Sequence, residues 1–352
     1  MTPRDRFLAA CRKEEVDCTP VWFMRQAGRY LPGYRDIRRE YSVLDVCKTP
    51  KVCEQVTLMP VKELGVDAAV MFADIMLPLE GMGVDFRIEE NIGPMISNPV
   101  ANVKDVERLH GFDPKKHVPF VLEAIRGVAS TLKATTRNAL VGFSGAPFTI
   151  ASYLIEGQPS RDFTKTKKMM FDDREAWNLL MSKLTEMISD YLCEQIESGV
   201  DAVQLFDSWV GALASADYER YVAPFVRQIF ERVHREHPET PKIHFGTNTF
   251  HLLRVMKEKA AGAEAFSIDW RIPIHEARQF LGGDVAIQGN LEPAVLLSQD
   301  RDGFIAERVR QVLDDNAGAS GYIFNLGHGM LRSTPVENAK FAVEYVHSHT
   351  VS

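Results

Sequence analysis

The sequence lacks the cysteine pattern of a disulfide-bonded or zinc-binding protein. It has five cysteines among 352 residues, an odd number, and no C-x-x-C pair. Disulfide scaffolds and zinc ribbons use paired, closely spaced cysteines. We therefore expect reduced thiols at all five positions, which are Cys11, Cys18, Cys47, Cys53 and Cys193.

Long hydrophobic runs and an excess of basic residues are also missing. No apolar run approaches the roughly 18 residues that cross a bilayer, and the opening MTPRDRFLAACRK lacks the apolar core of a signal peptide. The net charge is -7, whereas nucleic-acid binding depends mainly on a basic surface that contacts phosphates. These absences predict a cytosolic protein whose main partner is neither a membrane nor a nucleic acid.

The common cofactor and nucleophile motifs are absent as well. The chain has no P-loop, no G-x-S-x-G and no H-E-x-x-H, and Gly81-x-Gly83 is too short for a dinucleotide-binding loop. His244 and His251 lack the cysteines or carboxylates that would complete a tetrahedral metal site. The sequence therefore predicts an anion-binding site that uses neither a metal nor an organic cofactor.

The sequence does contain eight short apolar runs, separated by helix-length amphipathic segments such as residues 175–197. Most runs are continuous, which is typical of parallel strands covered by helices on both faces. The predicted strands are 20–24, 68–73, 139–143, 202–206, 242–245, 265–268, 285–288 and 321–325. This alternation favours one α/β domain over residues 1–352, a (β/α)8 or TIM barrel with an insertion at 81–119. A doubly wound open sheet is the alternative.

Polar residues follow the predicted strands directly. In a (β/α)8 barrel, catalytic groups lie at the carboxyl ends of the strands. In strand order these residues are Arg25 and Arg29, Asp74, Ser144, Asp207 and Ser208, Thr247 and Asn248, Asp269 and Trp270, Gly289 and Asn290, and His328. Structural roles are the alternative, because Asp207 and Asp269 suit helix caps and Asp74 suits a main-chain amide partner.

The segment WFMRQAGRYLPGYRDIRR, residues 22–39, places five arginines in an acidic chain. All five are Arg rather than Lys, and the planar guanidinium group suits bidentate binding of carboxylates. Gly28, Tyr30 and Tyr34 lie between them and offer close main-chain approach and flat apolar contact. The pattern favours a binding loop for an acidic small molecule, with a solvated basic face as the alternative.

Several longer stretches resemble the uroporphyrinogen decarboxylase family. PVWFMRQAGRYLP is similar to its first signature and GFSGAPFTIASYLIEG to its second, while FDSWVGAL, IQGNLEPAVLL and NLGHGMLRSTPVEN match further stretches. The resemblance runs through nearly the whole chain. It implies a distorted TIM barrel, a homodimer, and a cofactor-free carboxy-lyase of tetrapyrrole and haem biosynthesis. Such enzymes remove carbon dioxide from the four acetate side chains of uroporphyrinogen III to give coproporphyrinogen III.

The resemblance also implies roles for individual residues. It assigns substrate binding to Arg25, Gln26, Ala27, Gly28, Arg29, Arg38, Asp74, Tyr153, Ser208 and His328. Asp74 matches the carboxylate that accepts hydrogen bonds from the pyrrole NH groups, and Arg25 and Tyr153 complete the catalytic set. The proton donor stays open between Arg25, Tyr153, a substrate carboxylic acid and a water held by Arg25, because guanidinium is a poor general acid.

The chain departs from the common family pattern at three places. Gly33 stands where a glutamate is expected, Gln158 and Pro159 replace a glycine pair, and the stretch GTNTFH, residues 246–251, differs from the usual glycine-rich loop. These departures affect loop shape, and none removes a polar residue of the implied site.

Two other functions stay open. A zinc-dependent methyltransferase relative on the same barrel would need a His-x-Cys near the fifth strand and a late cysteine, whereas this chain has HFG at 244–246 and ends its cysteines at Cys193. A non-catalytic tetrapyrrole carrier, with His328 as a haem ligand, would use the arginines but gives Asp74 no role.

Overall fold

Seven parallel strands form a curled sheet that is surrounded by helices, in a computed structural model that describes residues 1–89 and 92–351. Two further strands form a separate antiparallel hairpin. The strands of the described residues are β1 (Ala68–Val70), β2 (Phe86–Glu89), β3 (Gly93–Ile96), β4 (Ala139–Gly145), β5 (Ala202–Asp207), β6 (Lys242–Gly246), β7 (Ala265–Ser267), β8 (Ala286–Leu291) and β9 (Tyr322–Leu326).

The order of the strands identifies the architecture. The sheet runs β1, β4, β5, β6, β7, β8, β9, and every neighbouring pair is parallel. A doubly wound sheet reverses its strand order at a switch point, and the described part of the chain contains no such reversal. The predicted distorted TIM barrel is therefore confirmed, and the doubly wound alternative was wrong.

The prediction of a regular strand over residues 20–24 was wrong. The segment makes a single parallel bridge, from Val21 to Phe324 in β9. Pro20 has no N–H group, and the N–H groups that would continue a ladder donate to side chains: Val21 to Asp67, Phe23 to Gln26 and Met24 to Asn325. The segment nevertheless lies between the first and last strands, because Asp67 N–H donates to Val21 O at 2.7 Å.

The other seven predicted strands are confirmed, with ends that differ by up to three residues. The largest differences are in β8, which ends at Leu291 rather than at residue 288, and in β1, which ends at Val70 rather than at residue 73. There the N–H of Phe72 donates to Thr57 Oγ1 instead of to a neighbouring strand.

Helices follow most strands and cover the outer face of the sheet. The α-helices of the described residues are α1 (Pro3–Cys11), α2 (Pro32–Glu40), α3 (Val43–Lys48), α4 (Pro50–Leu64), α5 (Leu77–Gly81), α6 (Val103–Glu107), α7 (Pro114–His117), α8 (Pro119–Ala134), α9 (Pro147–Glu156), α10 (Thr164–Asp172), α11 (Arg174–Glu197), α12 (Ser215–Tyr221), α13 (Ala223–Glu236), α14 (Leu253–Lys259), α15 (Ile274–Leu281), α16 (Ala306–Asn316) and α17 (Val336–His349). Shorter 3-10 turns occur at Val210–Ala212, Phe250–Leu252 and Pro293–Leu297, and a π-helical turn at Arg301–Ile305.

Local sequence explains where several helices begin and end. Many start with proline in the first turn, where its missing N–H costs nothing. Helix α4 ends at Leu64 and is followed by Gly65, whose φ of 75° is the left-handed conformation that glycine adopts readily. The predicted helix at 175–197 is confirmed as α11.

The insertion predicted at 81–119 contains the β2–β3 hairpin and the short helices α6 and α7. All five cysteines are buried and free, as expected. Across the described ranges, no helix has the length and apolar composition of a membrane span.

A polar layer fills the barrel beneath the ends of its strands. Gln288 Nε2 donates to Gln204 Oε1 and to Ser267 Oγ, both at 2.9 Å, and Trp22 Nε1 donates to Gln288 Oε1 at 2.8 Å. All four side chains are buried. These buried polar groups therefore bind one another inside the curled sheet.

Candidate active site

One pocket at the carboxyl ends of the strands brings together residues that are far apart in the chain. It has a volume of about 230 Å³. The predicted site residues on its wall are Arg25, Ala27, Asp74, Ser208 and His328. The loops after β1, β5 and β9 and the segment after residue 24 supply them, as expected for a barrel of this kind.

Aromatic rings form much of the wall. Phe206 lies between Phe143 and Phe245, with ring centroids 5.3 and 5.5 Å apart in edge-to-face contacts, and Phe245 lies 6.4 Å from the ring of His328. Sequence reasoning missed these three phenylalanines. The period of two along a strand could have found them, because Phe206 lies two residues before Ser208 and therefore faces the same side.

Arg25 sits in a strained main-chain conformation beside two glycines. Its φ is 58°, an uncommon value for a residue with a side chain. A Cβ atom on Gly329 would collide with the Arg25 side chain, and one on Gly28 would lie 3.0 Å from Arg25 O. The two glycines therefore let this loop approach the arginine closely, and the strain is of the kind that collects at functional sites.

Gln26 does not reach the pocket wall. Its side chain is fully buried, donating to Ala68 O at 2.9 Å and accepting from Phe23 N–H at 3.0 Å, while its own carbonyl accepts from Tyr30 OH. The side-chain amide is thus bonded both within the loop and to the first residue of β1. The side chain positions the turn that carries Arg25.

Of the five arginines, Arg25 lines the pocket and the other four lie off its wall. Arg35 and Arg39 are exposed; Arg35 donates to main-chain carbonyls of its own loop, and Arg39 pairs with Asp36 at 3.0 Å. Arg29 and Arg38 are half-buried and lie off the pocket wall. Burial raises the pKa of the nearby Tyr34 phenol, and the charges of Arg38 and Arg29 oppose that rise.

Asp74 is the carboxylate of the pocket. It follows β1, is partly accessible, and accepts a hydrogen bond from Met76 N–H at 2.9 Å through Oδ1. Burial raises its pKa above the ordinary aspartate value, while the Met76 N–H and the charge of Arg25 pull the pKa down. Asp74 thus has the main-chain amide partner expected of a structural residue and also lines the pocket.

His328 is the imidazole of the pocket, flanked by Gly327 and Gly329. Burial lowers its pKa to about 4, and the positive charge of Arg25 acts in the same direction. The ring is therefore neutral near pH 7. A Cβ atom on Gly327 would collide with the main chain of Trp270, so the loop needs a glycine there.

Tyr153 lies in α9, close to the pocket but not on its wall. Its ring is 6.0 Å from that of Trp209 in an edge-to-face contact. Burial raises the pKa of its phenol, the charge of Asp74 adds to the rise, and Trp209 and Arg25 oppose it. The phenol therefore keeps its proton at neutral pH.

Arg271 is a further basic residue near the pocket that sequence reasoning did not identify. It is exposed, its Nη1 donates to Asp269 Oδ2 at 2.7 Å, and its guanidinium lies over the Trp270 ring at 4.1 Å. Its charge contributes to the lowered pKa of His328. Asp269, predicted as a helix cap or site residue, thus holds an arginine beside the site.

The described residues contain one group of three metal-type donors, Cys193, Glu236 and His237, whose ligand atoms lie within 4.8 Å of one another. The group lies at α11 and the end of α13, off the pocket wall. Arg232 Nε donates to Glu236 at 3.1 Å, so a guanidinium already neutralises this carboxylate. Cys193 offers no ligand at the pocket, which the zinc-dependent alternative would need.

Comparisons with known proteins agree with these features. The profile of the family described as Uroporphyrinogen decarboxylase (URO-D) matches residues 2–349. The uroporphyrinogen decarboxylase of Sorangium cellulosum (strain So ce56) is 48% identical over 345 residues, which cover 98% of this chain and 96% of the relative. A uroporphyrinogen decarboxylase of Thermus thermophilus is 49% identical over 342 residues, covering 97% of each.

A solved structure supports the fold separately. A methyltransferase from Methanosarcina mazei has a TM-score of 0.80 to this chain, covers 99% of both chains and is 18% identical. At that identity the likeness concerns the fold alone. From the profile and the two relatives it follows that this chain belongs to the uroporphyrinogen decarboxylase family.

Proposed function

We propose that this protein is a uroporphyrinogen decarboxylase, which removes carbon dioxide from the four acetate side chains of uroporphyrinogen III without a cofactor. The observation that carries the proposal is the joint placement of Arg25, Asp74, Ser208 and His328 on one aromatic pocket. Family membership supports the reaction type. One domain over residues 1–352, a cytosolic location and a homodimer are part of the proposal. The first two rest on the sequence pattern, and the homodimer rests on the resemblance.

Substrate binding divides between flat apolar contact and charge. The rings of Phe143, Phe206 and Phe245 offer surfaces for pyrrole rings. Arg25 on the wall and Arg271 nearby supply guanidinium groups for carboxylate arms. We assign Arg29 and Arg38 to arms that extend beyond the pocket, and Ser208 and the neutral His328 to uncharged hydrogen bonds. Ala27 has a small side chain and Gly28 has none, which lets the substrate come close to the main chain of the loop.

The chemistry requires an acceptor for the electron pair that each departing carbon dioxide leaves behind. Protonation of a pyrrole carbon makes the ring cationic, so the ring itself accepts that pair when the carbon–carbon bond breaks. The exocyclic carbon then takes a proton to become a methyl group, and the ring loses its added proton. Asp74 is a fixed anion for the pyrrole NH groups, and it stabilises the cation as it forms.

The protonation states of His328 and Tyr153 reduce the number of candidate proton donors. His328, whose pKa is about 4, holds no acidic proton near pH 7. Tyr153 keeps its phenolic proton, because burial and the charge of Asp74 raise its pKa. We therefore place the donor among Tyr153, a carboxylic acid of the substrate and a water held by Arg25. Arg25 itself acts by charge and position.

The experiment that tests the proposed function is anaerobic incubation of the purified protein with uroporphyrinogen III. After oxidation, chromatography separates products with seven, six, five and four carboxylates. Stepwise appearance of the four-carboxylate product is the expected result. Tight binding with all eight carboxylates intact would instead identify a tetrapyrrole carrier. Light scattering of the same sample tests the homodimer.

A further inference from the structure

A buried polar cluster lies behind one wall of the pocket. Asp207, His244 and Tyr218 are each fully buried. Among the described residues, no hydrogen-bond partner contacts Asp207 Oδ2, either ring nitrogen of His244, or the hydroxyl of Tyr218. Buried polar atoms without partners are rare and costly, so this cluster needs a physical explanation.

The strand register places the cluster between the sheet and its helices. His244 in β6 is opposite Leu205 in β5, and Asp207 is two residues further along β5. Because side chains alternate between the faces of a strand, His244 and Asp207 share one face, while Phe206 and Phe245 share the other, which lines the pocket. The cluster therefore lies on the opposite side of the sheet from the pocket.

Helix and sheet residues surround His244 on that side. Its ring lies 5.5 Å from the ring of Phe230 in α13 and 6.0 Å from that of Phe266 in β7. Tyr218 comes from α12. Burial raises the pKa of its phenol, and the charge of Asp207 raises that pKa further. His244 Nε2 is 3.7 Å from Asp207 Oδ2, which is longer than a hydrogen bond.

Asp207 is connected directly to the pocket wall. Thr149 Oγ1 donates to Asp207 Oδ1 at 3.1 Å and accepts from Trp209 N–H at 3.3 Å. Trp209 packs against Tyr153, and Ser208 lines the pocket. The orientation of the Asp207 carboxylate therefore sets the Ser208–Trp209 turn through Thr149.

We propose that His244 and Asp207 form a positioning pair, joined by one internal water between His244 Nε2 and Asp207 Oδ2, which fixes the Ser208–Trp209 turn for substrate binding. A buried water bonds two to four polar groups. The hydroxyl of Tyr218, which has no partner among the described residues and on which the charge of Asp207 acts, is a third such group. The inference deepens the proposed function and rests on it, because Ser208 is there a substrate-binding residue.

A pair of variants at His244 separates positioning from simple packing. His244→Gln keeps an N–H donor at the ε position, whereas His244→Leu removes every donor. We expect His244→Leu to raise KM about tenfold, the effect of one lost hydrogen bond, with kcat within about twofold. His244→Gln restores KM to within about twofold of wild type. An unchanged KM in a folded His244→Leu protein, or an equal defect in His244→Gln, would overturn the proposal.

A crystal structure of the wild-type protein at high resolution tests the pair without any activity. We expect an ordered water within about 3.2 Å of both His244 Nε2 and Asp207 Oδ2. A dry cluster, or a direct bond between the two side chains, would overturn the inference. If the protein binds no uroporphyrinogen III while the water is present, the proposed function fails and the structural pair stands. The crystal structure of the wild-type protein also tests the pair if the His244→Leu variant does not fold.

Discussion

At the scale of single residues, Arg25 affects two ionisable groups of the pocket in different ways. Burial raises the pKa of Asp74, and the charge of Arg25 opposes that rise and favours the carboxylate. Burial lowers the pKa of His328, and the same charge lowers it further. One guanidinium thus favours the anionic form of Asp74 and the neutral form of His328 in the same pocket. That combination suits stabilisation of a cationic pyrrole ring.

The first prediction concerns the charge of Asp74. Asp74→Asn keeps the size of the side chain but removes the anion that stabilises the ring cation. We expect kcat to fall about 100-fold or more, with an unchanged circular dichroism spectrum. Asp36→Asn, at an exposed position in α2, is the matched control and should turn over normally. Wild-type turnover by folded Asp74→Asn protein would remove the proposed mechanism.

The second prediction concerns the arginines of the binding loop. Arg25→Ala removes a guanidinium from the pocket wall, so both the affinity for uroporphyrinogen III and kcat should fall. Arg39→Ala removes an exposed arginine of α2 and should leave both unchanged. Steady-state kinetics of the two variants provide the comparison. Equal behaviour of the two would show that the segment acts only as a general basic surface.

The third prediction concerns stability at mildly acidic pH. His328 has a folded-state pKa of about 4, below its ordinary value of 6.5, so the unfolded state binds a proton that the folded state does not. Stability is therefore lost as pH falls from about 6.5 toward 4. Between pH 7 and 5, wild type should lose on the order of 1–2 kcal/mol more unfolding free energy than His328→Gln. Urea denaturation at both pH values measures this, and equal losses would contradict the neutral buried imidazole.

At the scale of elements, Asp67 joins three parts of the barrel. Its carboxylate accepts from Val21 N–H at 2.7 Å and pairs with Arg6 of α1 at 2.6 Å and His347 of α17 at 2.7 Å. The side chain is almost fully buried. The first and last helices are thereby held to the segment that lies between the first and last strands.

The fourth prediction follows from this arrangement. Asp67→Ala leaves the N–H of Val21 without its partner and removes one partner each from Arg6 and His347. We expect a loss of about 3–5 kcal/mol in unfolding free energy, measured by urea denaturation. Asp172→Ala removes an exposed carboxylate of α10 that pairs with Lys168, and should leave the denaturation midpoint nearly unchanged. Similar midpoints for the two variants would contradict the role given to Asp67.

The elements show what the sequence pattern could and could not predict. Seven strands were found because continuous apolar runs are typical of buried parallel strands. The segment at 20–24 has the same composition, yet its N–H groups donate to side chains of Asp67, Gln26 and Asn325. Asp67 and Asn325 are distant in the chain, and Gln26 lies in the loop that follows the segment. Hydrophobic periodicity carries no information about such side-chain acceptors.

At the scale of the whole molecule, the polar residues of the candidate site could be predicted from the sequence better than the aromatic residues around them. Polar residues at strand ends could be found because the barrel gathers them at one face. The difference between Arg25, which lines the pocket, and Arg35 and Arg39, which do not, depends on loop geometry. The aromatic wall and the buried Asp207–His244 pair depend on strand register, which the sequence specifies only once neighbouring strands are known.

The most direct measurement of the central claim is the amount of carbon dioxide released per macrocycle. The purified protein would be treated with a metal chelator and incubated anaerobically with uroporphyrinogen III. The proposed mechanism predicts four equivalents of carbon dioxide and coproporphyrinogen III as the product, because the substrate ring accepts the electrons and Asp74 stabilises the cation. Tight binding without release of carbon dioxide would contradict it.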